Sequence, residues 1–200
     1  MNVTTVLLFA AMELVLCLTP GPAVMLVISQ ALRRGVKASV GGALGILAGN
    51  TIYFALSAIG LGALLVASKT VFTAVKLAGA AYLVFTGAKM ILTKSKPLDG
   101  EVAVAAHHHF REGLITQLAN PKAIVFFTAL LPQFIDPHGP IAMQLLILGI
   151  VSIIIELPVL TMYGLVADRG RHLLRSAQWL ERIAGTFLIG AGVKLALVRR

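Results

Sequence analysis

The sequence has little charge, one cysteine and none of the short motifs that identify common enzymes. Charged residues make up 12% of its 200 residues, about half of the 25% that is typical of a soluble domain. The single cysteine, Cys17, excludes an intrachain disulfide. A nucleophile elbow, a phosphate-binding loop, an HExxH motif and a paired-cysteine motif are all missing, so the sequence does not predict an enzyme.

The N-terminal apolar run also lacks the basic start of a cleaved signal peptide. No Lys or Arg precedes Arg33, and Glu13 interrupts the run. A signal peptide begins with a positively charged stretch and continues with an unbroken apolar segment. We therefore expect this run to be a retained first helix.

Apolar residues dominate the chain, at 58% of the sequence. A helix needs about 20 mostly apolar residues to cross a bilayer. The long runs do not alternate with a period of two, which favours helices over a barrel. The sequence predicts an all-α integral membrane protein with six transmembrane helices, at 4–28, 41–66, 71–92, 114–134, 141–165 and 182–198.

The net charge of +9 comes from short basic clusters between the apolar runs. That placement is typical of orientation signals and does not indicate a nucleic-acid partner. The clusters lie in the first, third and fifth loops, as Arg33, Arg34 and Lys37, then Lys94, Lys96 and Arg111, then Arg169, Arg171 and Arg175. The positive-inside rule places these loops in the cytoplasm and both termini outside, with Arg199 and Arg200 as the opposing signal.

Internal similarity divides the chain into two halves. The run from Lys76 to Gly79 resembles the run from Arg182 to Gly185, at an offset of 106 residues, and the same offset carries Asn50 onto Glu156. Each half holds three predicted spans, and an odd number gives the halves opposite orientations in the membrane. We expect two inverted three-helix repeats, 1–92 and 114–200, joined by a cytoplasmic linker, 93–113.

Each half contains one apolar run that is broken by proline. The first break is Thr19-Pro20-Gly21-Pro22, where two amide donors are lost and Gly21 offers dihedral angles closed to other residues. The second is Asn120-Pro121-Lys122, where Asn120 suits a helix N-cap and Pro121 the first helical position. Paired broken helices indicate a transport site at the bilayer midplane. The alternative is two kinks, with Lys122 snorkelling to the surface.

Three more polar residues lie inside predicted spans. Glu156 must be protonated, paired or facing a cavity, and it could pair with Lys122, bind a substrate ammonium or carry a proton. A structural ion pair is the alternative. Glu13 is a weaker candidate of the same kind. Asn50 could hydrogen-bond a zwitterion or bridge two helices.

The linker contains the histidine run His107, His108 and His109. Such a run could bind a metal ion. We find no acidic or cysteine partner at ligand spacing, which favours a solvated tract and no metal site. No cofactor is predicted.

Several segments together resemble the RhtB/LysE family of bacterial amino-acid exporters. They are Leu18-Thr19-Pro20-Gly21-Pro22, the run from Lys76 to Leu83, the run from Asn120 to Phe127, and Leu131-Pro132-Gln133-Phe134. The resemblance covers essentially the whole chain and implies a multi-pass exporter of the inner membrane, driven by the proton motive force. The homoserine, homoserine lactone and threonine branch is the most similar.

Two positions refine the resemblance. Lysine and arginine exporters tend to show Asp where this chain has Phe126, which argues against a dibasic substrate. Members of the branch commonly have a carboxylate where Glu156 stands, whereas Glu13 matches no family motif.

We therefore expect proton-coupled export of a small neutral amino acid or derivative by a protein embedded in the lipid bilayer. The sequence allows a homodimer but does not predict one. The expected substrate-binding residues are Thr19, Pro20, Gly21, Pro22, Asn50, Asn120, Pro121, Lys122 and Glu156, and the expected proton-coupling residues are Glu156 and Glu13. Two rivals stay open. One is a metal or inorganic cation exporter that uses Glu156, Glu13 and the histidine run, and the other is a non-transporting membrane subunit.

Overall fold

The computed structural model describes residues 1–59, 106–136 and 138–170, together with single positions within 73–92 and 182–197. All regular structure in the continuously described part is helical. It consists of α1 (Val3–Leu18), α2 (Pro22–Arg34), α3 (Val36–Ala58), α4 (Ala106–Leu118), α5 (Pro121–Val125), a π-helical turn (Phe126–Leu130), a 3₁₀ turn (Leu131–Phe134) and α6 (Ile141–Gly170).

Two of these helices, α3 and α6, are long and apolar enough to cross a membrane. Two further spans arise if each bent pair counts as one: α1 with α2, bent by 51°, and His108–Leu118 with Pro121–Phe134, bent by 48°. The predicted third and sixth spans, 71–92 and 182–198, lie outside the continuously described residues, as does most of the repeat around Lys76 and Arg182.

The first break follows from the positions of its two prolines. In a continuous helix the amide of residue 20 would donate to the Leu16 carbonyl, and the amide of residue 22 to the Leu18 carbonyl. Pro20 and Pro22 have no such amide, so α1 ends at Leu18 and α2 begins at Pro22. The predicted interruption of this span is confirmed.

The expected role of Gly21 at this break is wrong. Its φ of −151° and ψ of −178° lie in the extended region, which any residue can adopt. The positive φ in this part of the chain occurs at Gly35, at 82°, where α2 turns into α3. Gly21 instead lies beside Lys122, whose Nζ would be 3.6 Å from an added Cβ.

The second break has the predicted cap. The Asn120 side chain accepts a hydrogen bond from the backbone amide of Lys122 at 3.0 Å, and Pro121 occupies the first position of α5. Helix α5 then passes into the π-helical and 3₁₀ turns. In α6, by contrast, Pro158 lies inside the helix without ending it.

Glycines allow α4 to pack closely on α3. A Cβ on Gly45 would overlap the Phe110 carbonyl, and one on Gly49 would lie 2.9 Å from the Gln117 Cβ. A Cβ on Gly113 would likewise overlap the Gly42 backbone. These small residues thus let the two helix backbones approach closely. Since α4 begins at Ala106, residues 106–113 are helical although they fall within the predicted linker.

The packing of the broken helices is reciprocal. Helix α1, before the first break, packs on α6, and α4, before the second break, packs on α3. Helix α2 contacts both α3 and α6. The two breaks therefore lie between the two long helices, and an aromatic cluster that includes Phe9, Tyr53, Phe126 and Phe127 packs beside them.

Candidate functional site between two helix breaks

A cavity of about 40 Å³ lies where the two breaks approach each other. This volume is enough for a few ordered water molecules. Its walls combine charged, amide and apolar side chains from all six helices. The polar ones are Glu13, Cys17, Asn50, Gln117, Asn120, Lys122 and Glu156, and the apolar ones include Ala23, Val24, Phe126, Phe127 and Leu160.

Buried amide side chains form a hydrogen-bonded chain along one wall. Asn120 Nδ2 donates to Gln117 Oε1 at 3.0 Å, and Gln117 Nε2 donates to Asn50 Oδ1 at 2.5 Å. Asn50 Nδ2 in turn donates to Glu156 Oε2. Each of these side chains is at least 93% buried. The chain connects the second break to the Glu156 carboxylate and makes Asn50 a bridge from α3 to both α4 and α6.

Lys122 connects the second break to the first. Its Nζ donates to the Leu16 carbonyl at 2.6 Å and to the Thr19 carbonyl at 3.1 Å. Leu16 is one of the two residues whose carbonyl loses its helical donor at the first break. The Lys122 ammonium thus lies at that break. Lys122 and Glu156 line the same cavity.

Tyrosines satisfy the last carbonyls of both broken helices. Tyr163 of α6 donates from its hydroxyl to the Leu18 carbonyl at 2.9 Å, and Tyr53 of α3 donates to the Leu118 carbonyl at 2.7 Å. Leu18 and Leu118 are the final residues of α1 and α4. Sequence reasoning missed this role of Tyr53 and Tyr163, because nothing local to either tyrosine indicates a distant carbonyl.

A second buried carboxylate belongs to the same cavity. Glu13 is 5% exposed and accepts a hydrogen bond from Ser152 Oγ of α6 at 2.6 Å. Sequence reasoning missed Ser152, which lies one helical turn before Glu156, and it also missed Gln117. The signal for Gln117 was present, since it is a polar residue three positions before Asn120 and therefore on the same helix face.

The remaining predicted residues contribute through the backbone. Five of them do not line the cavity: Thr19, Pro20, Gly21, Pro22 and Pro121. Thr19 supplies its carbonyl to Lys122 and bonds its own hydroxyl to the Val15 carbonyl at 2.8 Å. The three prolines create the breaks.

The histidine run lies away from the cavity and has an acidic partner that sequence reasoning missed. His108 Nδ1 lies 3.3 Å from Glu112 Oε1, and His109 Nδ1 lies 3.8 Å from Glu112 Oε2. His109 precedes Gln117 by eight residues, about 12 Å along the helix. His108 and His109 therefore do not share one ligand site with Glu13 and Glu156.

These two histidines and Glu112 have ligand atoms close enough to hold a metal ion. The guanidinium of Arg34, however, lies 3.3 Å from His109 Nδ1, and its permanent positive charge opposes a divalent cation there. Gln30 Nε2 also donates to Glu112 at 2.9 Å. The cluster joins the end of α2 to α4.

Comparison with known proteins finds similarity along nearly the whole chain. Residues 14–199 match the model of the LysE type translocator family. The chain is 34% identical to "Uncharacterized membrane protein" of Vibrio cholerae over the whole of both chains. It is 30% identical to "Homoserine/homoserine lactone efflux protein" of Salmonella typhimurium, over 92% of each chain.

A third relative, "Leucine efflux protein" of Salmonella typhimurium, is 35% identical over 62% of this chain and 59% of its own. No solved structure matches. The family match covers nearly the whole chain, including both helix breaks and every polar cavity residue except Glu13. The chain therefore belongs to the LysE type translocator family.

Proposed function

We propose that this chain exports a small neutral amino acid or a derivative, such as homoserine, homoserine lactone or threonine, across the bacterial inner membrane. The observation that carries the proposal is the cavity between the two helix breaks, where Lys122 and the Glu156 carboxylate face one small space. A cationic and an acidic side chain in one cavity suit the two ends of a zwitterion. Two relatives carry the names of homoserine or leucine efflux proteins, and both substrates have uncharged side chains.

The bound zwitterion would be held at both ends. Its carboxylate would accept hydrogen bonds from the Lys122 ammonium, and its ammonium would bind Glu156 and the carbonyls near Thr19. The backbone amide of Lys122 already donates to Asn120, so the side-chain charge supplies the attraction. The apolar walls formed by Phe126, Phe127 and Leu160 favour a small uncharged side chain.

Alternating access is supported by the reciprocal contacts of the two broken helices. Helix α1 packs on α6 and receives a hydrogen bond from Tyr163, and α4 packs on α3 and receives one from Tyr53. Two inverted repeats produce this arrangement, in which the broken helix of each half packs on the long helix of the other half. We propose the repeats 1–92 and 114–200 with the linker 93–113, six spans in all, which rock around the cavity.

Proton movement through Glu156 would drive the export. Glu156 is buried at the end of the amide chain from Asn120, so the uptake of a proton there would change a hydrogen-bonded path across three helices. Glu13, bonded to Ser152 in the same cavity, is a second candidate carrier. The bilayer and protons are thus the proposed partners beside the substrate, and a homodimer stays a prediction.

The test is efflux from cells or vesicles that contain the full chain. Vesicles preloaded with labelled homoserine, threonine, leucine or lysine should release one of the three neutral amino acids faster than vesicles without the chain. Lysine should not be released faster, because Phe126, Phe127 and Leu160 form apolar walls that disfavour a second ammonium. Release of none of them, or of lysine alone, would contradict the proposal.

A further inference from the structure

The first helix break holds two backbone carbonyls that depend on a donor from outside their own helix. Pro20 cannot donate to the Leu16 carbonyl, and the Thr19 carbonyl lies beyond the end of α1. The Thr19 amide is shared between the Val15 and Leu16 carbonyls at 3.1 Å each. Carbonyls without a full partner are costly where water is scarce. The pair therefore forms a site for a cationic donor.

In the described part of the chain this site is filled by Lys122, from the other half of the molecule. The Nζ atom contacts both carbonyls, at 2.6 Å and 3.1 Å, across 106 and 103 residues of sequence. The neighbouring position is a glycine, Gly21, where an added Cβ would lie only 3.6 Å from Nζ. A primary ammonium with three hydrogens is the same chemical group that an amino acid carries on its α-carbon.

We propose that Lys122 is a built-in replacement for the substrate's ammonium group, and that it permits the carrier to change conformation without substrate. This inference rests on the proposed function. In the empty carrier the Lys122 ammonium binds the Leu16 and Thr19 carbonyls. When substrate binds, its ammonium takes these carbonyls, because two cations cannot share them without strong repulsion. Lys122 then turns to the substrate carboxylate in the same cavity.

The inference has a kinetic consequence. Net efflux requires the carrier to return empty, with the carbonyls satisfied by Lys122. Exchange of internal for external substrate never requires the empty carrier to change conformation, because substrate is bound in both directions. Removing the Lys122 charge should therefore slow net efflux more than exchange, even though it weakens substrate binding in both.

The experiment compares these two rates in vesicles reconstituted with the full chain. The probe is whichever of labelled threonine, homoserine and leucine the wild type exchanges fastest, used at saturating concentration. In Lys122→Met, which keeps the length of the side chain, we expect the ratio of net efflux to exchange to fall about tenfold or more, since a carbonyl left without its donor is costly. Lys122→Arg, which keeps the charge, should restore most of the ratio.

Lys37→Met is the matched control, because it removes a lysine near the start of α3, away from the cavity, and it should leave the ratio unchanged. If the Lys122→Met protein does not insert into the membrane, the second test is Lys122→Ala with added methylammonium. This small cation should raise the ratio of net efflux to exchange. An equal loss of both rates, or no change in the ratio, would overturn the inference. Wild-type vesicles that exchange none of the three probes would instead overturn the proposed function.

Discussion

Each proline at the first break removes one backbone donor, and a side chain from a distant helix supplies a replacement. Pro20 has no amide to donate to the Leu16 carbonyl, and Lys122 donates to that carbonyl instead. Pro22 has no amide to donate to the Leu18 carbonyl, and Tyr163 donates there. The loss of an amide is visible in the sequence, because proline has none. The identity of the replacement is not, because both donors lie more than a hundred residues away.

The buried carboxylate of Glu156 leads to a prediction at the scale of one residue. Glu156→Gln keeps the size of the side chain but cannot take up and release a proton. We expect efflux to lose its dependence on an inward proton gradient, falling to the rate measured without a gradient. The measurement is efflux of the labelled substrate from vesicles at several imposed pH differences.

Asp136→Asn is the control for that experiment. Asp136 lies in the loop before α6 and accepts a hydrogen bond from the His138 amide at 2.9 Å, outside the cavity. Its substitution should leave the gradient dependence intact. Undiminished gradient-driven efflux in Glu156→Gln would remove Glu156 from proton coupling.

At the scale of the helix, the structure joins each broken element to a continuous one. The α1 end is held on α6 by Tyr163, and the α4 end on α3 by Tyr53. Glycines bring α4 and α3 into backbone contact at Gly42 and Gly113. The long helices therefore act as supports that keep two short helix ends, with their exposed polar groups, facing one cavity.

This pairing predicts matched losses of stability. Tyr163→Phe and Tyr53→Phe each remove one hydroxyl donor and leave a carbonyl at a helix end without it. We expect each to lower the free energy of unfolding by about 1 kcal/mol, measured as a lower midpoint of thermal unfolding in detergent.

Ser57→Ala is a suitable control for the tyrosines, since the Ser57 hydroxyl donates to a carbonyl of its own helix, that of Tyr53, at 2.8 Å. It should change the midpoint little. If the tyrosine variants unfold at the wild-type midpoint, their hydroxyls do not hold the broken helices in place.

At the scale of the whole molecule, the distribution of basic loops predicts the orientation in the membrane. The junction between α2 and α3, next to Lys37, should be cytoplasmic, and the loop before α6 that contains the exposed His138 should face outward. In a chain with Cys17→Ser, an impermeant maleimide applied to intact cells should label His138→Cys and should spare Lys37→Cys until the membrane is opened. Labelling of both from the same side would contradict the predicted orientation.

Much of the site could be anticipated from local chemistry. Both breaks and the Asn120 cap follow from residues whose behaviour depends on their immediate neighbours. The sequence also identified three of the cavity residues, Asn50, Lys122 and Glu156. Gly21 was expected to adopt dihedral angles closed to other residues, and this was wrong because the backbone is extended there. The part played by Gln117 was missed because a polar side chain near a helix end has many candidate partners.

The sequence by itself determined that this is a chain of apolar helices, broken at two proline-containing segments and belonging to a translocator family, because composition, missing amides and motifs act locally. Only the tertiary structure decided that Lys122 contacts the Leu16 carbonyl and that Asn50 contacts Glu156. Contacts over such distances depend on which helix faces pack together, and apolar faces of similar composition leave many arrangements open until the whole chain is folded.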